Sequence, residues 1–490
     1  MNLSLFFKIF LISLFSISKS SPNDDKLIFV MTHFRHGARA PLKIDNKNQD
    51  LLGEYWTNQG ELTGIGQRMH YLLGLRNRIR YIDELKFLSD KFDPHEILIY
   101  STSVNRTLVS VSAQLQGLYP QSAEKGETLT KEQEKVSYPQ VNVNNSKIHE
   151  EIKNLNLCAL PYSMTLAPIR MINMNERKIR LFDLQGCTEK VEEIKKKNRE
   201  TIPILIELVD DFNNRYGAKV NQFFNTTSEK YDLLYMNTFC DSFIMSYSDT
   251  RNLTEFKKLG IDFEELLDYC MNYTKLNFME HYSGDEEHIL PHLEASTIMA
   301  EFIYYMKKRI DADINQENIE EQYKDYSRPK MLILSGHETT ISLHEVFLMD
   351  ALGFDKDFFI FPKFASQVTF EVTTKNNGIK KQNYSDYYVN YYFDDDLLFN
   401  MTVPEFIEKI EAHIWDTEKI NDYCGLNEEI IVINGNKTNT GDDNAKKAYK
   451  ILMIIFIILS VILLALSIFL LIKLNKKNTE LLSKSYILQK

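Results

Sequence analysis

A chain of 490 residues can bury a sizeable core and has room for two domains, or for one domain with a large insertion. A formal net charge of -11 argues against nucleic acid as a partner. At the amino terminus, Met1 to Ser21 carries Lys8 inside a run of Leu, Phe and Ile, followed by mostly small polar residues and Lys19 before Pro22. That is the pattern of a secretory signal peptide over 1–21, too short and too interrupted for a membrane span. Leu27-Ile28-Phe29-Val30-Met31 then reads as a strand buried on both faces, and Gly37 and Pro41 punctuate the loop beyond its carboxyl end. In open α/β sheets that is where ligands bind. In the loop, His36 stands between Arg35 and Arg39. The rigid fork of arginine matches phosphate oxygens in pairs, so the trio suggests a phosphate cradle with an attacking imidazole.

Thr63 can cap a helix whose apolar positions Ile65, Met69, Leu72, Leu73 and Leu75 share one broad face. A second strand, Glu96 to Tyr100, ends at Ser101-Thr102-Ser103, and a helix starting near Val104 puts Arg106 in its first turn. Unpaired amides and the helix dipole favour an anion there, so an arginine at that position makes sense with a phosphate beside it. From about residue 163 to 326 the periodicity turns helical, over Thr201–Tyr216, Phe256–Asn272 and Pro291–Ile310, with no convincing strand. This predicts an α-helical insertion. Lys330 to Leu334 is a third strand, followed by Ser335-Gly336-His337-Glu338. All three polar blocks thus follow a strand. Parallel neighbours would bring Arg35, His36, Arg39, Arg106, His337 and Glu338 to one edge of one sheet, although the strand order is not written in the sequence. The expected architecture is α/β: a central, mostly parallel sheet flanked by helices, the smaller helical insertion, and one carboxyl-terminal transmembrane helix.

Other candidate sites are weaker. His288 and His292 have the spacing of zinc ligands on one helix face, but Pro291 between them disfavours that helix. Gly64-Ile65-Gly66 lacks the third glycine of a dinucleotide loop and reads as helix entry. Lys195-Lys196-Lys197 reads as a solvated face, and His33, His70 and His344 as structural residues. No metal and no cofactor is expected, because fixed cations around a phosphate suffice for its chemistry.

Toward the carboxyl end, 434–450 reads as a flexible linker and Ile451 to Ile472 as 22 residues without a charge. At 1.5 Å per residue this stretch is long enough for a hydrocarbon core of about 30 Å. Lysines flank it on both sides, so orientation rests on the amino-terminal signal: catalytic portion outside the cytosol, tail 473–490 inside. Sequons begin at Asn105, Asn144, Asn225, Asn252, Asn272, Asn383, Asn400 and Asn436, a number that suits a glycosylated lumenal protein. Asn105 adjoins Arg106 and is expected to be unmodified. Five cysteines in the exported portion permit disulfides, and their odd number leaves one over.

Arg35-His36-Gly37-Ala38-Arg39-Ala40-Pro41 resembles the signature of the histidine acid phosphatases, a branch of the histidine phosphatase superfamily. Three further blocks agree in order: Glu61 to Gly74, Ser101 to Pro120, and Leu334 to Thr340, where Glu338 stands in place of the family's aspartate. The resemblance covers roughly Leu27 to Cys424, with the middle third matched loosely. It implies hydrolysis of phosphate monoesters through a phosphohistidine on His36, with Arg35, Arg39, Arg106 and His337 holding the oxygens and Glu338 as proton donor. It further implies a phosphatase domain over 22–433 whose helical part roofs the pocket; the leader and the span make the chain a single-pass type I protein with a lumenal or cell-surface catalytic domain, and a homodimer is a candidate partner state. It suggests a disulfide between Cys158 and Cys424, leaves Cys187 to pair with Cys240 or Cys270, and places Ser366 where the family has the partner of Cys240. Two rival readings stand beside it: an inositol-phosphate phosphatase of the same superfamily, and an inactive ectodomain that binds phosphorylated ligands.

Overall fold

An apolar run with no polar break needs cover on both faces, and the run at Leu27 receives it as the central strand of the sheet. The computed structural model describes residues 25–42, 58–120, 128–137, 139, 145–172, 187–199, 203–224, 231–248, 260–283, 288–315, 329–355, 358–375 and 380–425. The expected signal peptide, linker, span 451–472 and tail lie outside them. Among the described residues no helix is long and apolar enough to cross a membrane.

In chain order the elements that position the site are β1 (Asp25–Arg35), α1 (Gly64–Arg78), β2 (Ile97–Thr102), α2 (Asn105–Leu118) and β3 (Arg170–Ile172). The helices α3 (Pro203–Phe212), α4 (Leu233–Ser248), α5 (Phe263–Ser283) and α6 (Ile289–Ile314) follow. Then come β4 (Met331–Gly336), α7 (Glu338–Leu352), β5 (Gln367–Lys375), β6 (Tyr387–Phe393), β7 (Asp396–Thr402), α8 (Val403–Glu411) and α9 (Thr417–Cys424). The sheet order is β3-β2-β4-β1-β5-β6-β7. Pairings β3/β2, β2/β4 and β4/β1 are parallel. Pairings β1/β5, β5/β6 and β6/β7 are antiparallel. The sheet is therefore mixed rather than mostly parallel. Between β6 and β7 the two residues Asp394 and Asp395 suffice, since the strands are antiparallel, whereas parallel neighbours need a long crossover.

One face of the sheet, with Val30, Phe34 and Ile99, packs on Tyr81, Val111, Leu115 and Leu118 from the α1 and α2 side. The other, with Phe29, Met31 and Phe370, packs on Ile298, Phe302, Phe347 and Phe406 from α6, α7 and α8. Each such side chain contributes about 2–3 kcal/mol relative to leaving it in water. Thr63 caps α1 as expected, its hydroxyl accepting from Gly66 N–H. The buried face of α1 is not the predicted apolar one, however: Gly66, His70, Gly74, Asn77 and Arg78 are buried, while Leu72 is half exposed. The reason is close helix contact. A Cβ on Gly74 would lie 1.9 Å from the Gln114 carbonyl oxygen, and one on Gly117 2.0 Å from that of Tyr71.

The helical insertion is also redrawn. It contains β3, and α6 belongs to the core under the sheet rather than to the insertion. The insertion's own core joins α3, α4 and α5 through Phe212, Phe239, Phe243 and Tyr273. Pro291 is accommodated in α6 because it falls in the first turn, where the missing N–H has no intrahelical acceptor. The disulfides join Cys187 to Cys424 and Cys240 to Cys270. The expected Cys158–Cys424 bridge is thereby corrected: α9 delivers Cys424 to the start of the helix Thr188–Arg199, where Cys187 takes its sulfur.

Candidate active site

Three parallel strands side by side end side by side. Arg35 stands opposite Gly336 and Ser101 opposite Ser335, so the loops after β1, β2 and β4 converge on one edge. The loop after β1 is stitched in from both sides: His36 N–H donates to the Gly336 carbonyl (3.0 Å), and the His36 carbonyl accepts from Ala365 N–H (3.2 Å). It also rests backbone to backbone on the start of α1, where a Cβ on Gly37 would meet the Gly66 carbonyl oxygen at 2.5 Å.

His36 is fully buried. Its Nδ1–H donates to the Gly37 carbonyl at 2.9 Å, which leaves Nε2 with the lone pair. Nε2 lies 3.6 Å from Glu338 Oε2, too far for a hydrogen bond, so the lone pair is uncommitted. Arg35 Nε sits 3.1 Å from the same oxygen. Arg35 is anchored by donating from Nη1 to the Pro362 carbonyl (2.8 Å) and by stacking on Phe364, 4.3 Å from the ring centre. His70 supports the same residue from behind, its Nε2–H donating to the Arg35 carbonyl at 3.1 Å.

Arg106 enters from the first turn of α2 and donates from Nη2 to His337 Nδ1 (3.2 Å). His337 therefore carries its proton on Nε2, which donates to Thr102 Oγ1 (3.0 Å). The Thr102 hydroxyl in turn reaches Thr107 Oγ1 at 2.7 Å. His337 is the N-cap of α7 and Glu338 its first residue, an acidic position favoured by the dipole. Arg39 points to the helical insertion: Nη2 donates to Asp241 Oδ1 (2.7 Å) and Nη1 to Oδ2 (3.4 Å), and Asp241 Oδ2 also accepts from Leu42 N–H at 2.9 Å.

Electrostatics follow from burial and these neighbours. Burial, aided by the charges of Arg35 and Arg39 and opposed by Glu338, pulls the His36 imidazole down to about 4. Burial and Arg106 hold His337 well below the usual histidine range. Burial pushes the Glu338 carboxyl up, but the Arg35 guanidinium, helped by Arg39, outweighs it and keeps it well below the usual carboxylate range. At neutral pH the site thus holds two neutral imidazoles, an ionised Glu338 and three guanidinium groups. Arg106 is lowered to about 10 by burial and by Arg39, and it stays charged. Such a cluster suits an anion with several oxygens next to a nitrogen nucleophile.

The structure brings together all six residues singled out in the sequence. It leaves His288 and His292 elsewhere, facing Asp350 at 3.7 and 3.6 Å, with His292 Nδ1 bonded to the His413 carbonyl. Among the described residues no group of three or more His, Cys, Asp or Glu is placed to hold a metal ion. Sequence reasoning missed Asp241 and Phe364. Asp241 lies 202 residues from Arg39, and its one signal was adjacency to a cysteine.

The profile of the histidine phosphatase superfamily (branch 2) matches residues 26–394. Among curated proteins the chain is 38% identical to lysosomal acid phosphatase of Xenopus laevis over 95 residues, 19% of this chain and 21% of that relative. It is 23% identical to prostatic acid phosphatase of Mus musculus over 323 residues, 65% of this chain and 68% of that relative. Among solved structures, the apo form of the Hafnia alvei phytase aligns with a TM-score of 0.50 at 14% identity, covering 83% of this chain and 99% of that one, a likeness of fold. With the match spanning the loop after β1 and the residues that converge on it, the chain belongs to the histidine phosphatase superfamily, branch 2.

Proposed function

We propose that the chain hydrolyses phosphate monoesters through a covalent phosphohistidine. The observation that carries the reading is the uncommitted lone pair on buried His36 Nε2, set among Arg35, Arg39 and Arg106 and facing Glu338. In the first step Nε2 attacks phosphorus while the ester P–O bond breaks, and the departing oxygen takes a proton from Glu338. In the second step water attacks the phosphorus, gives its proton to Glu338, and the P–N bond breaks to release inorganic phosphate. Arg35, Arg39 and Arg106 hold the phosphoryl oxygens as charge spreads over them, and His337, expected among them, serves by accepting from Arg106 Nη2 and so orienting that guanidinium. Glu338 is ionised while Arg35 pairs with it. A phosphate dianion that diverts Arg35 and adds its own negative charge raises the carboxyl's proton affinity, so substrate binding itself loads the acid.

The purified chain is expected to hydrolyse an aryl phosphate at acid pH, and a chain without turnover on any aryl phosphate would sink the assignment. The topology proposed with it is a leader over 1–21, a catalytic portion over 22–433, a span over 451–472 and a cytosolic tail. It is supported by the uncharged run and by relatives named lysosomal acid phosphatase. In sealed vesicles, added protease should remove an epitope placed after Lys490 and spare the catalytic portion; the reverse pattern overturns the topology.

A further inference from the structure

We propose that Asp241 is a selectivity residue: its carboxylate, reaching from the helical insertion to the phosphate cradle, disfavours substrates that carry a second phosphate near the scissile one. The inference rests on the phosphatase reading and narrows its substrate to monoesters with a neutral or cationic leaving group.

Charge counting states the case. Arg35, Arg39 and Arg106 supply three positive charges, and Glu338 and Asp241 two negative ones, a net of +1 with both imidazoles neutral. One phosphate dianion, with the proton that loads Glu338, turns that to 0. A second phosphate then approaches a site with no positive charge to spare, in which Asp241 is a fixed carboxylate. It is fixed because two Arg39 nitrogens and Leu42 N–H all bind it, so turning away breaks three contacts. Its helix is held too: the preceding residue, Cys240, is bridged to Cys270 of α5. The side chain is 21% exposed, neither sealed in the core nor free in water, so its charge is felt by a bound leaving group. A further carboxylate, Glu61, accepts from Asn105 Nδ2 at 2.9 Å, beside Arg106, and adds to the negative surroundings. A unit charge about 6 Å away across such a half-wet rim changes binding by roughly a factor of ten.

The test measures binding without turnover, in full-length protein carrying His36→Ala, by calorimetry with glycerol 2-phosphate and with myo-inositol hexakisphosphate. Adding Asp241→Asn keeps an oxygen for Leu42 N–H and removes the charge. The expected result is a gain of about tenfold for the hexakisphosphate relative to glycerol 2-phosphate, reversed by Asp241→Glu. Because Asp241 lies outside the apolar core of the insertion, folding should survive, and Asp241→Ser gives the same readout should the amide misfold. A residue that only positions Arg39 would lower both affinities together. A ratio unchanged within about twofold overturns the proposal, and since no hydrolysis is measured, its failure is separate from failure of the phosphatase assignment.

Discussion

The sheet edge and the helical insertion reach the same cluster of side chains by different means. At the edge every group is placed by local backbone: Arg35 by strand register, Arg106 by the first turn of α2, His337 and Glu338 by the N-cap and first turn of α7. The insertion contributes one carboxylate, Asp241, whose position depends on the packing of α4 against α5 and on a disulfide. The edge residues thus sit in short segments whose geometry the strands dictate, whereas Asp241 belongs to a layer assembled from distant parts.

The largest expected effect falls on the edge. His36→Ala should lower turnover of an aryl phosphate by at least about 1000-fold, because no phosphoenzyme forms without the imidazole. The same residue sets the acid limb of kcat/KM. Attack needs neutral His36, and since burial lowers it to about 4, activity should rise through pH 4 and be in place by pH 5. An inflection near 6.5, the value of an unperturbed histidine, would show that the nucleophile is not in this environment. Next comes Arg106→Ala, expected to cost about 3 kcal/mol of transition-state stabilisation, roughly a hundredfold in rate. An unchanged rate would remove α2 from the cradle. Glu338→Gln should slow an alkyl phosphate about tenfold more than an activated aryl phosphate, because a phenolate leaves with little protonation. Equal losses would make Glu338 a structural anion and send the search for the acid elsewhere. The smallest effect belongs to the insertion: replacing Cys240 and Cys270 together by serine should cost about 2–3 kcal/mol of stability yet leave aryl phosphate turnover within about fivefold. A loss as large as that of Arg106→Ala would erase the distinction between the two regions.

The same contrast governs what could be read from the sequence. The apolar runs, the polar blocks after them and the Thr63 cap are local patterns, and each reappears where its spacing puts it. Strand order was hidden because pairing joins residues hundreds of positions apart, such as Val30 with Met331. The antiparallel half of the sheet was overlooked although Tyr387–Phe393 alternates buried and half-buried positions, the pattern of a strand with one covered face. The face of α1 was misread because apolar side chains signal burial only where there is room for them; here two glycines bring α1 and α2 into backbone contact and turn Leu72 outward. The pairing of Cys424 with Cys187 and the contact of Asp241 with Arg39 are products of tertiary packing and leave no periodic trace.

The central claim is that His36 becomes phosphorylated, and rapid quenching with a substrate labelled in its phosphate tests it most directly. A phosphohistidine is lost in acid and survives alkali, so alkaline quenching of the full-length chain should retain label on protein, acid treatment should release it, and His36→Ala should abolish it. Label that survives acid, or that persists in His36→Ala, contradicts the account.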